Sequence, residues 1–185
     1  MRVFLSAAAG LALACLPSCV SDSRADHPAA GQADSKPASR PTLVAPSTAP
    51  ASTLKGFHTN IEQATLANRD FRHVLYTGQH LQLVLMSLKP GEEIGREVHK
   101  THDQFFRFEA GTGKCVINGS SYAVTAGDVI IAPAGSTHNV INTGTAKPLQ
   151  LYTLYAPPQH KDGIVRATKL EATKNEAPFD GKTSE

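Results

Sequence analysis

Between Gly95 and Gly111 the chain reads GREVHKTHDQFFRFEAG, which sets two histidines, two glutamates and a glutamine in one short stretch of a segment otherwise rich in Val and Leu. Imidazole nitrogens, carboxylate oxygens and amide oxygens are donors that first-row divalent metals accept, so the first question is whether these side chains can meet. Glu97 and His99 are two residues apart, and on an extended strand both point to one face while Val98 points to the other. Gln104, Phe106 and Phe108 also share a face, but with even parity, so a turn must intervene. Lys100-Thr101-His102-Asp103 has turn composition and would aim Glu97, His99 and Gln104 into one interior. A further histidine, His138, arrives from AGDVIIAPAGSTHNVIN, where Pro133 and Gly135 shape a turn just before it. Two imidazoles, one carboxylate and one amide oxygen make a shell for a divalent metal such as Fe, Mn, Ni or Zn. The alternative is a solvated Glu97 and a Gln104 that only satisfies backbone groups.

Other residues are candidates for the reaction itself. His102, on the turn, is a base at the mouth or a substitute ligand, or simply an exposed turn residue. Tyr152 and Tyr155 lie on one late strand and differ in parity, so at most one faces inward, where its hydroxyl is a candidate acid or base. Phe106 and Phe108 either wall a cavity or fill the core. Asn142 is expected to pack or bond to backbone, and Arg107 with Glu109 to form an outward pair. His58, His73, His80 and His160 show no ligand spacing and receive no role.

The elements that must position these groups are strands. The 185 residues contain no Trp, and the apolar residues fall in short runs broken by Gly and Pro. Asn60-Ile61-Glu62-Gln63 has the spacing of a helix cap with a reciprocal Gln, so a short helix is predicted over Ile61 to Ala67. Strands follow over Phe71 to Tyr76, Leu81 to Leu88, Cys115 to Ile117, Tyr122 to Val124, Val129 to Ala132, His138 to Ile141 and Leu149 to Tyr155. Asn118-Gly119 is a favoured two-residue hairpin turn. Many short strands at regular spacing predict a sandwich or barrel. A formal net charge of +2 gives no footing for nucleic acid.

Before the domain, which is assigned to residues 54–166, two segments are expected to stand apart. Arg2 and the apolar run Val3 to Leu16 have the form of a secretion signal, residues 1–19, too short for a permanent membrane helix. Its ending, Leu16-Pro17-Ser18-Cys19, resembles the lipobox of bacterial lipoproteins, which implies lipidation of Cys19. Cleavage after Ala12-Leu13-Ala14, leaving a soluble periplasmic protein, is the alternative, as is a start codon placed too early. By the same resemblance Val20 favours an outer-membrane lipoprotein facing the periplasm. Residues 20–53, almost wholly Ala, Pro, Ser, Thr, Asp and Gly, read as a disordered linker. The polar tail 167–185 is expected to stay unordered. Cys15 and Cys19 lie in the leader and only Cys115 in the domain, which excludes a disulfide framework and leaves Cys115 a small hydrophobe.

Two motifs carry a family resemblance. Gly91, Glu97, His99, Gln104 and Gly111 have the spacing of the first cupin motif, and Gly127, Pro133, Gly135, His138 and Asn142 that of the second. The chain therefore resembles the cupins, and its longer run from Phe71 through LYTLYAPPQH looks like the single-domain cupins called mannose-6-phosphate-isomerase-like. The resemblance implies an all-β fold, the double-stranded β-helix or jelly-roll barrel, here with a short N-terminal helix, commonly a homodimer, with a metal in its bowl. The usual shell is three His and one Glu. Here Glu97 stands at the first His position and Gln104 at the Glu position, so the carboxylate has moved and a weaker neutral donor has its place. Two His and one carboxylate also resemble the facial triad of non-haem iron oxygenases. The expected function is a metal-dependent isomerase, lyase or dioxygenase acting on a sugar, uronate or phenolic. The alternative is a non-catalytic envelope cupin that binds a small ligand or a metal.

Overall fold

The structure is a computed structural model, and it describes residues 53–185. The expected signal segment 1–19, its Cys19 and nearly all of the linker 20–53 lie outside the described residues. Helix α1 covers Ile61–Ala67, with the Asn60 side chain accepting from the Gln63 amide at 3.0 Å. Ten strands follow: β1 (Arg72–Thr77), β2 (Gln82–Leu88), β3 (Glu97–Val98), β4 (Asp103–Ala110), β5 (Thr112–Ile117), β6 (Ser120–Thr125), β7 (Val129–Ala132), β8 (Thr137–Asn142), β9 (Leu149–Ala156) and β10 (Val165–Arg166). They form a six-stranded sheet in the order β10-β1-β2-β9-β4-β7 and a four-stranded sheet in the order β3-β8-β5-β6. All pairings are antiparallel. Two packed antiparallel sheets satisfy the sandwich or barrel expected from strand spacing and form the jelly-roll that the family resemblance implied.

The core lies between the inner faces of the two sheets. Val84, Met86, Leu88, Phe106, Phe108, Leu149 and Leu151 come from the larger sheet, and Cys115, Val124 and Val140 from the smaller. Alternation is clean in β8, where His138, Val140 and Asn142 are buried and their neighbours are not. Cys115 is a free, buried thiol, and burial pushes its pKa up to about 11, so it serves as a core hydrophobe. Phe106 and Phe108 belong to the core as well.

Local chemistry fixes the connections near the centre. Between β5 and β6, Asn118 (φ 48°) and Gly119 (φ 87°) both take positive φ, the requirement of the tightest hairpin turn. Before β8, Gly135 donates to the His99 carbonyl at 2.8 Å, and Ala134 donates to the Asp103 carboxylate at 2.8 Å. These two bonds tie the β3–β4 loop to the β7–β8 turn. The Asn142 amide nitrogen donates to the carbonyls of Leu88 and Lys147 at 2.9 and 3.0 Å, which is a backbone role.

The C-terminal segment departs from expectation. Residues 167–185 are ordered: helix α2 spans Lys169–Lys174, with Thr168 accepting from the Glu171 amide at 3.2 Å and the Glu171 carboxylate accepting from the Ala167 amide at 3.0 Å. Ala172 is buried in the main core, and beyond α2 the Ser184 amide donates to the Thr77 carbonyl at 2.9 Å. Reciprocal capping and apolar docking order a segment whose composition alone looks too polar to fold.

Candidate metal centre

Glu97 on β3 lies directly opposite His138 on β8, and His99 follows from the loop after β3. Gln104 reaches the same point from β4 in the other sheet. The centre thus sits in the seam between the sheets, with donors from both walls. His99 Nε2 is 3.4 Å from Glu97 Oε2, which is 3.9 Å from His138 Nε2. One ligand atom from each of the three lies within 4.8 Å of the others. A metal with bonds of about 2.0–2.2 Å separates neighbouring donors by roughly 3.0–3.4 Å, so sub-ångström side-chain shifts would close the shell.

The local bonding fits a cation. The His99 Nε2 atom is buried and has no hydrogen-bond partner among the described residues, a costly state for a polar atom unless something binds it. His138 Nδ1 lies 3.3 Å from the Ser136 carbonyl, a contact favourable when Nδ1–H donates, which leaves Nε2 as a lone pair. Gln104 Oε1 stands 2.9 Å from that Nε2, and the Gln104 amide nitrogen donates to Thr153 Oγ1 at 3.0 Å. With the proton on Nδ1 a cation would gather both lone pairs; with it on Nε2 the ring donates an ordinary hydrogen bond to the amide oxygen. Burial lowers the pKa of His138, so the ring stays neutral and keeps one nitrogen lone pair that a metal could take. Glu97, the one carboxylate of the group, is 26% exposed in its side chain and faces the opening, whereas His138 is 2% exposed.

The remaining candidates divide. His102 is at the rim, its ring 5.8 Å from that of His99, with Nε2 3.3 Å from the Pro158 carbonyl and Nδ1 3.1 Å from Thr101 Oγ1. Tyr155 faces the interior and is 2% exposed, its ring edge-on to His99 at 5.6 Å. Burial raises the Tyr155 pKa, partly offset by a hydrogen bond with the Gln104 side chain, so the phenol stays protonated and cannot be a base at neutral pH. Tyr152 is a correction. It has the opposite parity on β9, is only partly buried, and packs its ring 6.1 Å from Phe105, which shares its side of the sheet and not that of Gln104, so it has no access to the centre.

Two buried residues beside the centre had no role in the sequence reading. His160 is 3% exposed, its ring edge-on to Tyr155 at 5.1 Å, and neither ring nitrogen has a hydrogen-bond partner among the described residues. Arg72, from β1, is 8% exposed and its Nε has no hydrogen-bond partner among the described residues. The signal for Arg72 was its parity with Val74 on a strand edge-bounded by Phe71. His160 follows β9 in an irregular segment, where no periodicity marks an inward side chain.

Comparison with known proteins gives the fold its relatives. The model of the Cupin domain family matches residues 84–155, from β2 through β9. The protein YrkC of Bacillus subtilis is 46% identical over 128 residues, 66% of this chain and 68% of its own length. The crystal structure of BH2720 from Bacillus halodurans is similar with a TM-score of 0.63 and 46% identity, covering 64% of this chain and 94% of that one. An oxalate-binding protein of Thermotoga maritima is 27% identical over 93 residues, 50% of this chain and 74% of its own.

Proposed function

Because this chain belongs to the cupin superfamily, we propose that its seam holds a divalent metal on Glu97, His99, Gln104 and His138 and that a small oxygenated molecule is the ligand. The observation that carries the reading is the convergence of Glu97, His99 and His138 donor atoms within 4.8 Å around a buried His99 nitrogen that makes no hydrogen bond among the described residues. When bound, the ion supplies a positive centre that polarises a ligand oxygen. The protein's own residues do the rest. Ser136 orients His138, Thr153 holds the Gln104 amide, and protonated Tyr155 offers an O–H beside that amide. His102 at the rim is the residue free to move a proton without leaving the shell. On this reading the protein is an isomerase, lyase or dioxygenase for a small sugar, uronate or phenolic. Membership of the mannose-6-phosphate-isomerase-like single-domain cupins, expected from the sequence resemblance, is part of this proposal and assigns no substrate.

A non-catalytic ligand-binding cupin is the second reading. It is favoured by Phe106 and Phe108, both 0% exposed, which fill the bowl floor, with Phe106 packed 5.8 Å from the His138 ring. The oxalate-binding relative from Thermotoga maritima is a small-ligand precedent for either reading.

Elemental analysis by plasma mass spectrometry, on protein purified without a chelating tag, tests the proposal. Near-stoichiometric metal is expected. His99→Ala and His138→Ala should each lose it, whereas Gln104→Ala should keep part, because a neutral amide contributes less than an imidazole. Iron would direct assays to oxygen uptake, and zinc, nickel or manganese to isomerisation and elimination. A protein that takes up no metal even after reconstitution sinks the reading.

A further inference from the structure

Arg72 points from β1 into the molecule, 8% exposed, and its Nε has no hydrogen-bond partner among the described residues. No carboxylate among them lies within 4 Å of the guanidinium: the ion pairs involve His99, Arg107, His138, Lys161 and Lys169 instead. A guanidinium never gives up its proton, so burial without an anion is expensive. The aromatic ring nearest it, Phe71, lies 6.0 Å from the guanidinium carbon, and no side chain among the described residues makes an ion pair with it.

Arg72 also lines a cavity of about 180 Å³, whose wall includes Glu97 of the metal centre, with Thr173 and the exposed Glu176 of the C-terminal segment on another side. Ligand pockets for drug-sized molecules run to roughly 300–1,000 Å³, so this space suits a ligand of a few carbons. A carboxylate matches the flat guanidinium fork with two parallel hydrogen bonds. A phosphate dianion would bring a second negative charge toward Glu97 and Glu176.

We infer that Arg72 is the anion-recognition residue of this site and that the ligand is a small carboxylate, held on Arg72 with its other oxygens toward the centre at Glu97. This deepens the proposed function and rests on it for the metal. It adds the ligand class and the residue that selects it.

The test is calorimetric titration of the metal-loaded, full-length protein with glycolate, malonate, inorganic phosphate and mannose, alongside Arg72→Met and Arg72→Lys. Carboxylates should bind, in preference to phosphate and mannose. Arg72→Met should weaken them tenfold or more with metal content unchanged, and Arg72→Lys should weaken them several-fold, since it keeps the charge and loses the fork. A structural arginine would destabilise the fold on removal, so an unaltered or raised unfolding midpoint for ligand-free Arg72→Met is also expected. Equal carboxylate affinity in Arg72→Met, a preference for phosphate or mannose, or no binding by metal-loaded protein each overturns the inference while leaving the metal reading intact. Failure of the wild type to hold metal overturns both, and the metal content of the sample separates the two cases.

Discussion

His160 sits in an environment that ties the protein's stability to acid. Burial drives its pKa down to about 3 from an ordinary 6.5, and the positive charge of Arg72 acts in the same direction. The folded protein therefore keeps the ring neutral, while the unfolded chain takes up a proton below about pH 6.5. Between roughly pH 6.5 and 3 the unfolded state binds more protons, so this group's contribution is full above 6.5 and is lost as pH falls, at up to ~1.4 kcal/mol per pH unit. His160→Phe should flatten that slope. Urea unfolding of both proteins at pH 7 and 4.5 measures it, and parallel losses in the two would contradict the assignment. His160 was illegible in the sequence for a physical reason: its burial is made by Tyr155, Gln82 and the tail, which meet it only after folding. Glu97, His99, Gln104 and His138 were legible because alternation along a strand and a turn of known composition fix which side chains share a face. For the two tyrosines parity allowed one inward residue without choosing, and the sheet packing chose Tyr155.

At the scale of elements, the sequence was most readable where one or two residues decide a backbone shape. Asn118-Gly119 gave its hairpin, Asn60 its helix start, and the turn before His138 its Pro133 and Gly135. Segment 167–185 shows the opposite case. Thr168-Lys169-Leu170-Glu171 carries a capping-box spacing that could have marked a helix start. It was hidden by polar composition, and because α2 has only six residues its order comes from docking and not from helix propensity. Ala172 enters the core, Lys169 pairs with Glu93 at 3.5 Å, and Phe71 and Ile94 lie across the cavity from the helix. Deleting residues 168–185 should therefore expose Phe71, Ile94 and the Arg72 cavity. The expected cost is about 2 kcal/mol or more, a fall in Tm of roughly 5–10 °C, with faster loss of bound metal to a chelator. Scanning calorimetry and a chelator time course read both. A truncated protein as stable and as metal-retentive as the parent would mean that the segment only decorates the surface.

For the whole molecule, the described residues 53–185 contain both sheets and all four proposed shell residues, so the proposed seam is complete within them. We propose that Cys19 is lipidated and that residues 20–53, whose composition is poor in apolar side chains, form a linker, which would make anchoring and ligand binding separable properties. Cys19→Ser separates them experimentally. In the producing cell the wild-type protein should pellet with membranes and the variant should move to the soluble envelope fraction, because the acyl chains and not the fold hold it there. Metal content and Tm of the purified variant should equal those of the wild type. Wild type and variant fractionating alike would remove lipidation, leaving a soluble periplasmic protein if both stay in the soluble fraction, whereas loss of metal would show that the anchor reaches the fold after all. The first outcome would alter where the carboxylate ligand is met without altering how Arg72 and the seam would bind it.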